Sequence, residues 1–362
     1  QNILISSNIE FDNNLKGENK VISICKKLHV TNYVNPIGGV ELYSKTMPIN
    51  DGYLKINLWD TAGQERFKTI TKSYYRNVSA AIICFSIKNT KSFTNIKLYL
   101  EDLKFLLQSW EQQPITVLGA ATNVLIRDGG IKGLVIYLRN CLNGLDELDN
   151  FTLRIEAGVG LARLLQKCLS LGMCDAAFMA GIPGTIGGAL AMNAGANGDC
   201  IWNHVACVET INRQGKIKLR QAKEFAASYR QVSGLAEDEW FVAAQLNFVR
   251  GNMDVQEIQL QVSEYLQKRR NSQPLDLPSC GSVFRNPPGD YAARLIEICG
   301  LKGKQIGGAK ISQKHGNFIV NCENASAVDV ETLMQEIVFT VKQKYNIDLI
   351  SEVHILGEKC RY

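Results

Sequence analysis

The sequence predicts an α/β (α+β) protein of more than one domain, and three observations support this. The chain has 362 residues, which exceeds the usual size of a single domain, so we expect two or three. Apolar residues make up 46% of it, which is enough to fill sizeable cores. Short apolar runs that end in glycine-rich turns are followed by stretches with a helical spacing of apolar residues, which is typical of strand–turn–helix units.

Composition and charge argue against several classes of protein. The net charge of +5 is spread over 40 basic and 35 acidic residues without a long basic run, so nucleic acid is not an expected partner. Eleven cysteines without a Cys-x-x-Cys pair are typical of free thiols in a reducing compartment, and four scattered histidines show no metal-ligand spacing. No run reaches the ~18 apolar residues of a membrane span. We therefore expect a cytoplasmic monomer without a metal, nucleic-acid or membrane partner.

The chain consists of two unlike parts. The first ~100 residues are rich in Asn, Lys and Ile, whereas Gly and Ala become frequent after Leu118. The apolar spacing predicts an amphipathic helix over residues 92–110, and this helix spans the junction.

The first part contains a specific motif. A predicted strand at residues 54–58 leads into the run WDTAGQERF at 59–67, and a second apolar strand is predicted at 80–85. Through this run, residues 1–98 resemble a Rab-type small GTPase. The resemblance implies that Asp60 reaches a nucleotide-bound magnesium through water and that Gln64 orients the attacking water. A phosphate-binding loop also needs glycines, a lysine and a hydroxyl, and residues 11–21 supply the full set in neither possible register. We therefore expect a degenerate GTPase-like segment.

The first candidate cofactor loop follows a predicted strand at residues 115–119, and a further strand is predicted at 133–137. Small residues at the end of a strand let backbone N–H groups approach a pyrophosphate without obstruction. A tight structural turn would give the same pattern, so both interpretations stay open. The candidates are Gly119, Ala120, Thr122, Asn123 and Leu125.

The second candidate loop, at residues 180–196, is the stronger one. Its glycines and proline are poor material for a helix interior, but they suit a loop whose backbone is the binding surface. A helix is predicted from about residue 187 to 193, with its N-terminus facing an anionic diphosphate. The alternative is a glycine-rich packing corner. The candidates are Gly181, Ile182, Pro183, Gly184, Thr185, Gly187, Gly188, Asn193, Ala194 and Gly195.

These two loops resemble the FAD-binding domain of the UDP-N-acetylenolpyruvoylglucosamine reductases, within the vanillyl-alcohol-oxidase-like flavoproteins. Further landmarks of the family follow in order: AGVG at 157–160, YR at 229–230, GSVFRNP at 281–287, GLKG at 300–303, IGGA at 306–309, HGNF at 315–318 and EV at 352–353. The resemblance covers residues 99–362. It implies an FAD-binding domain at 99–250. The residue pattern predicts helices at 255–270 and 328–345, which indicates a separate α/β substrate domain at 251–345, and a C-terminal strand is expected at 346–362. The active site is then expected in the cleft between the domains.

The resemblance also implies a reaction. The family uses FAD and NADPH to reduce the enol ether of UDP-N-acetylglucosamine enolpyruvate to UDP-N-acetylmuramate, in peptidoglycan precursor synthesis. Matched to the family's motifs, Arg230 and the acid Glu352 stabilise charge at the substrate carboxylate, while the Ser282 hydroxyl protonates carbon. Taken singly, these three could also be a surface arginine, an edge-strand glutamate and a turn serine. The substrate and its phosphates are assigned to Tyr229, Arg285 and Asn286.

The sequence departs from the family at three places. The first loop has Ala120, Ala121 and Thr122 where Gly and Ser are commoner. Gln231 and Val232 follow Arg230 where Asp-Ser is usual, and GTPase-like sequence replaces the first strands of the flavin domain. The strand at 80–85 and the helix after it have the β-then-α order of the missing piece and could supply an analogous unit. Two alternatives to the reductase stay open: an inactive fusion or pseudoenzyme, and a GTP-binding switch.

Overall fold

The computed structural model describes residues 114–359, apart from residues 140, 150 and 250–253. It also describes residues 100, 103, 104 and 106–108, and the backbone of short strands between residues 2 and 84. Two predicted features, the GTPase-like run after Trp59 and the phosphate-loop stretch at 11–21, lie outside the described residues. Among the described residues, no helix combines the length and the apolar character needed to cross a membrane.

In chain order, the strands are β1 (Asn2–Ile3), β2 (Asn32–Val34), β3 (Leu42–Ile49), β4 (Gly52–Trp59), β5 (Ala81–Cys84), β6 (Ile115–Leu118), β7 (Val124–Ile126), β8 (Leu134–Tyr137), β9 (Leu145–Glu147), β10 (Thr152–Glu156), β11 (Gly195–Ala196), β12 (Asp199–Cys200), β13 (Val205–Asn212), β14 (Ile217–Gln221), β15 (Ala226–Ser228), β16 (Gln231–Ser233), β17 (Glu239–Asn247), β18 (Ser279–Ser282), β19 (Gln305–Ile306), β20 (Ala309–Ile311), β21 (Phe318–Asn321) and β22 (His354–Leu356). The helices are α1 (Leu161–Ser170), α2 (Ile186–Met192), α3 (Val255–Ser272), α4 (Ala292–Ile298) and α5 (Ala327–Tyr345), and short 3-10 turns lie at Cys174–Met179, Ile201–Asn203 and Ala222–Glu224. The structure confirms within a few residues the predicted strands at 54–58, 80–85, 115–119 and 133–137 and the predicted helices at 187–193, 255–270 and 328–345.

The described residues fall into two compact units. Unit 1 contains those up to residue 120 and those from 132 to 258, and unit 2 contains residues 121–131 and those from 259 onward. The family resemblance assigns residues 121–131 to the FAD-binding domain, whereas in the structure they group with unit 2. The reason is that β7 pairs in parallel with β22, near the other end of the chain.

Unit 1 contains two sheets that concern the site. The first has the order β1-β5-β8-β6, in which β8 pairs in parallel with both β5 and β6. The strand from the GTPase-like part therefore joins the sheet of the flavin unit, as the β-then-α order of that segment suggests. Within the junction segment the described residues are helical, and Leu103 and Leu107 are buried at the i, i+4 spacing of one helix face.

The second sheet of unit 1 is antiparallel, in the order β14-β13-β17-β10-β9. Strands β13 and β17 bury most of their residues, and β13 is rich in β-branched residues. Helix α1 buries Leu161, Leu164, Leu165 and Cys168 at i, i+3, i+4 and i+7, which gives it a single apolar face.

Unit 2 is built around the sheet β18-β21-β20-β19 and helix α5. The helix starts at a capping box, because the Ser326 hydroxyl accepts from the Asp329 N–H and the Asp329 carboxylate accepts from the Ser326 N–H. Its buried positions recur every three or four residues and include Val330, Leu333 and Ile337. Glu352 is predicted on the final strand, but in the structure it lies two residues before β22. The residue before it, Ser351, forms an isolated bridge with Phe284.

Candidate functional site

Two glycine-rich loops of unit 1 are joined by backbone hydrogen bonds. Gly160 and Thr185 form a bridge, the Leu161 N–H donates to the Gly184 carbonyl at 3.1 Å, and the Gly187 N–H donates to the Ala157 carbonyl at 2.8 Å. Strand β10 runs into the first loop and α2 leaves the second, so the end of a strand and the start of a helix meet in one cradle.

Glycine is required at several points of this cradle. A Cβ on Gly158 would lie 1.6 Å from the Cys141 carbonyl oxygen, so the loop could not close over that turn with any side chain present. Gly181 and Gly184 have φ values of +78° and +121°, a region that L-residues other than glycine rarely occupy. At Gly160, by contrast, a Cβ would meet nothing nearer than the Gly184 carbonyl oxygen at 3.9 Å.

The Thr185 hydroxyl is the polar group at the centre of the cradle. Its side chain is 2% exposed, and its Oγ1 has no hydrogen-bond partner among the described residues. A Cβ on Gly119 would lie 2.4 Å from that oxygen, and one on Gly188 would lie 3.9 Å from it. Glycine at position 119 therefore leaves room for this buried hydroxyl, which a larger residue would displace. An unsatisfied buried hydroxyl costs about 1–3 kcal/mol, so its persistence points to a ligand that accepts or donates a hydrogen bond there.

This arrangement fits a dinucleotide such as FAD. Gly119, Gly160, Gly184 and Gly188 carry no side chain of their own, and the Thr185 hydroxyl lies beside Gly119. Exposed main chain with a hydroxyl suits a pyrophosphate. Of the remaining candidates, Ile182 donates its N–H to the Met179 carbonyl at 3.0 Å and Pro183 is exposed, while Ala120 is half-buried at the edge of unit 1.

Asn193 is used structurally. It adopts the left-handed conformation at the end of α2 and is 7% exposed. Its Nδ2 donates to the Ser228 carbonyl at 2.9 Å, and its Oδ1 accepts from the Trp202 N–H at 3.4 Å. The Ala194 N–H donates to the Ala189 carbonyl at 2.9 Å, which closes the same turn. Asn193 therefore fastens the hairpin that carries Arg230 to the end of the cofactor loop.

The Tyr229–Arg230 turn joins β15 and β16 in unit 1. Arg230 has a φ of +55°, and one of its terminal nitrogens donates to the Gly195 carbonyl at 3.2 Å. Its guanidinium carbon lies 5.5 Å from the centre of the Tyr229 ring, which is itself 54% exposed. Both side chains line a cavity of about 700 Å³, whose other walls include Trp202, Phe225 and the turn from Gly195 to Cys200. A guanidinium over an aromatic ring at a cavity wall can bind a planar carboxylate.

Three of the predicted loop residues belong to unit 2. Leu125 is fully buried in the hydrophobic core of that unit, so its side chain contributes to packing. The Asn123 side chain donates to the Glu352 carbonyl at 3.0 Å, and the Asn123 carbonyl accepts from the His354 N–H at 3.1 Å. The Thr122 carbonyl would lie 3.6 Å from a Cβ on Gly281. This loop therefore lies against the segments that carry Ser282 and Glu352.

Ser282 and Glu352 are brought together by main-chain pairing within unit 2. Ser282 is the last residue of β18, opposite Phe318 of β21. The Glu352 N–H donates to the Val283 carbonyl at 2.8 Å, and the Arg285 N–H donates to the Ile350 carbonyl at 2.9 Å. The structure thus places two of the three predicted catalytic residues on neighbouring extended segments.

Arg285 and Asn286 follow directly. The Arg285 side chain has a buried Nε without a hydrogen-bond partner among the described residues. Burial, and secondarily the positive charge of Arg285, lowers the pKa of His354. The Asn286 Oδ1 accepts from the Ala292 N–H at 3.1 Å and so fixes the start of α4. Of this pair, Arg285 is therefore the group with an unused donor for an anionic ligand.

Sequence reasoning missed two buried polar groups around the site. Asn317 makes three hydrogen bonds to the segment after Ser282. His204 is stacked between Phe178 and Phe248, and its Nε2 lies 2.8 Å from Asp199 Oδ2, at a turn that lines the Arg230 cavity. Asn317 lies within the HGNF landmark, so the motif marked the position. Only the fold could show what its side chain holds.

Comparison with known proteins gives concordant results. Residues 101–219 match the FAD binding domain family, residues 273–356 match the C-terminal domain of UDP-N-acetylenolpyruvoylglucosamine reductase, and residues 21–126 match the Ras family. The UDP-N-acetylenolpyruvoylglucosamine reductase of Coxiella burnetii (strain Dugway 5J108-111) is 50% identical over 272 residues, which span 70% of this chain and 85% of that protein. The protein of the same name from Legionella pneumophila (strain Paris) is 45% identical over 265 residues, with coverage of 73% and 84%. The crystal structure of UDP-N-acetylenolpyruvylglucosamine reductase from Thermus caldophilus superposes with a TM-score of 0.61 at 28% identity, covering 77% of this chain and 94% of that one.

The glycine cradle and the matched FAD-binding domain define a flavoprotein. The chain belongs to the UDP-N-acetylenolpyruvoylglucosamine reductase family. This confirms the predicted fold, an FAD-binding domain followed by a C-terminal domain. The Ras-family match supports the resemblance of the first part to a small GTPase.

Proposed function

We propose that the protein is an FAD-dependent oxidoreductase that reduces UDP-N-acetylglucosamine enolpyruvate to UDP-N-acetylmuramate with NADPH, a step of peptidoglycan precursor synthesis. The observation that carries the proposal is the cradle around the unpartnered Thr185 hydroxyl, built on the residues by which the chain matches the FAD-binding family. The name and the identity of the bacterial relatives support the choice of substrate.

FAD would be held by the main chain next to Gly119, Gly160, Gly184 and Gly188, with the Thr185 hydroxyl as an added hydrogen-bonding group. When bound, FAD would supply the hydride that reduces the enol ether, and NADPH would reduce the flavin again. The protein's own task is to bind the substrate, to stabilise the charge that develops at its carboxylate, and to deliver one proton.

Arg230 is the residue we assign to the carboxylate. Its guanidinium donates to the Gly195 carbonyl and lines the cavity of about 700 Å³ described above. A guanidinium offers two parallel donors to a carboxylate, which an ammonium cannot reproduce. Glu352 is the acid that we assign to the same developing charge.

Ser282 is the residue we assign to proton delivery. It ends β18, and the segment after it pairs with the segment that carries Glu352. Hydrogen-bonded backbone beside the hydroxyl helps to fix its position, which general acid catalysis requires. Tyr229, Arg285 and Asn286 are the groups we assign to the rest of the substrate, with Arg285 Nε free to bind phosphate. We further propose that the chain works as a monomer in the cytoplasm, where a charged sugar nucleotide is available.

The test is made on the purified full chain. We expect a flavin absorption spectrum, and NADPH oxidation that depends on the enolpyruvyl sugar nucleotide. Ser282→Ala should retain flavin and lose turnover by about 10²–10⁴-fold, the usual contribution of a general acid. Flavin-loaded protein without substrate-dependent NADPH oxidation would overturn the proposal, and protein that never binds flavin would favour the inactive fusion. Magnesium-dependent GTP binding by a flavin-free chain would favour the GTPase-like switch instead.

A further inference from the structure

We propose that Asn317 and Asn123 are positioning residues for the reaction, which together form a clamp around the segments that carry Ser282 and Glu352. The inference rests on the proposed function for the roles of those two residues. All of the contacts that define the clamp lie within unit 2.

Asn317 forms hydrogen bonds to the main chain of the residues after Ser282, as a neighbouring strand would. Its side chain is 4% exposed. Its Oδ1 accepts from the Phe284 N–H at 2.9 Å, and its Nδ2 donates to the Phe284 carbonyl at 2.7 Å. The Asn317 carbonyl accepts from the Val283 N–H at 2.9 Å. One residue thus satisfies three main-chain groups of the two residues that follow Ser282.

The other side of the same segment pairs with residues 350–353. The Val283 carbonyl accepts from the Glu352 N–H at 2.8 Å, and the Arg285 N–H donates to the Ile350 carbonyl at 2.9 Å. The segment is therefore held on both sides, by Asn317 on one and by the Glu352 segment on the other. A shift of the segment relative to Asn317 would move Ser282 and the pairing partner of Glu352 together.

Asn123 fixes the second segment from its other end. Strand β22 pairs with β7 from His354 onward. The Asn123 carbonyl accepts from the His354 N–H, and the Asn123 side chain donates to the Glu352 carbonyl, which extends that pairing toward the N-terminal side of β22. The Asn123 side chain binds the carbonyl of Glu352, while the Val283 carbonyl binds its N–H. Both peptide groups of Glu352 are thereby held.

The chemistry explains why such a clamp matters. Ser282 must deliver a proton to one carbon, and an error of ~1 Å in the placement of a reacting group can lower a rate by about a hundredfold. Turns that rely on solvent-exposed hydrogen bonds open easily, whereas buried amide side chains bonded on both sides resist opening. Asparagine suits this task because its amide carries a donor and an acceptor in the same arrangement as a peptide group.

The test compares isosteric substitutions. Asn317→Asp and Asn123→Asp keep the side-chain acceptor and remove the donors to the Phe284 and Glu352 carbonyls. Asn321→Asp is the matched control: Asn321 is also buried, on strand β21, but its Oδ1 accepts from the Ala325 N–H at 3.0 Å and not from the segment after Ser282. Because Asn123 is half-buried, its variant is expected to fold even if Asn317→Asp does not.

We expect Asn317→Asp and Asn123→Asp to lower kcat by at least about tenfold and to raise the solvent isotope effect on kcat. Asn317→Asp should also leave the substrate KM and the FAD affinity within about twofold. Asn321→Asp should lose comparable thermal stability while keeping kcat within about twofold. In a Ser282→Ala background, Asn317→Asp should add less than about a twofold loss, because its effect acts through that hydroxyl. Losses equal to those of Asn321→Asp, or fully additive with Ser282→Ala, would overturn the positioning role.

Amide hydrogen exchange gives a readout that does not depend on turnover. Asn317→Asp should speed exchange at the amides of Val283, Phe284 and Glu352 more than Asn321→Asp does. An unchanged Glu352 amide would mean that no clamp links the two segments. A wild-type, flavin-loaded chain that lacks turnover would instead overturn the proposed function and with it the catalytic reason for the clamp, while the exchange result would still decide whether the clamp exists.

Discussion

Replacement of Thr185 by valine should have opposite effects on the flavin-free protein and on flavin binding. The Thr185 hydroxyl is buried without a partner among the described residues and makes no side-chain cap to α2, so the fold gains nothing from it. Valine has nearly the same shape, and the backbone at this position is extended, with φ −113° and ψ 165°, which suits a β-branched residue. Removing an unsatisfied buried hydroxyl should raise the free energy of unfolding by up to about 1–3 kcal/mol.

The flavin complex should respond in the other direction. A hydrogen bond to a charged group contributes about 1.5–3 kcal/mol, and each 1.4 kcal/mol corresponds to a factor of ten in affinity. Thr185→Val should therefore weaken FAD binding about tenfold to a hundredfold.

The assay has two parts. Chemical denaturation of the flavin-free protein gives the stability, and titration of FAD fluorescence gives the affinity. Thr185→Ser retains the hydroxyl and should keep the affinity within a few-fold of wild type, although it loses a methyl group. If Thr185→Val destabilises the flavin-free protein and leaves FAD affinity unchanged, the hydroxyl is structural and the cradle argument is refuted.

Three further predictions concern backbone space, pH and thiol reactivity. Gly158→Ala should prevent stable folding of unit 1, because its Cβ would lie 1.6 Å from a neighbouring carbonyl oxygen. Gly160→Ala should keep the wild-type melting temperature and weaken FAD binding. Equal melting temperatures for the two variants would contradict this prediction. The ion pair with Arg294 and the hydrogen bond from the Tyr291 N–H lower the pKa of Asp290 from about 4 to about 2. The stability that this carboxylate contributes is therefore complete above its unfolded pKa and is lost as pH falls toward 2. An NMR titration of Asp290 should have its midpoint at this pKa, and the midpoint should shift upward in Arg294→Ala. Cys280 is 4% exposed and burial raises the pKa of its thiol to about 11, so mass spectrometry should find it unmodified by a thiol reagent at pH 8 until the protein unfolds.

The local elements were largely predictable. The helix over residues 328–345 and the short strands near residues 115 and 134 follow from apolar spacing and glycine turns, and the structure confirms them. Strand β7 did not stand out, because three residues are too few for a periodic pattern. Its partner β22 comes more than 200 residues later, and no local pattern can indicate such a pairing.

The site was predictable in residue type and less so in role. The glycines and Thr185 lie in the loops that the sequence predicts to bind a ligand. A binding surface made of main chain needs small residues, so these residue types indicate such a loop in any fold. Asn193 and Asn123 are predicted to contact the cofactor, and in the structure their side chains bind the Ser228 and Glu352 carbonyls, so their role in cofactor binding stays a prediction. An asparagine in a glycine-rich loop can bind a ligand or another loop, and the sequence does not distinguish these.

The sequence by itself determined the family and the glycine-rich loops, since each depends on residue types in a local order. Only the tertiary structure decided which main-chain groups hold those residues in place. Val283 and Glu352 share a hydrogen bond, and Asn317 closes the opposite side, because strands distant in the chain satisfy one another's buried N–H and carbonyl groups. Such pairing is selected by the burial of the whole unit, which is a property of the fold and not of any short segment.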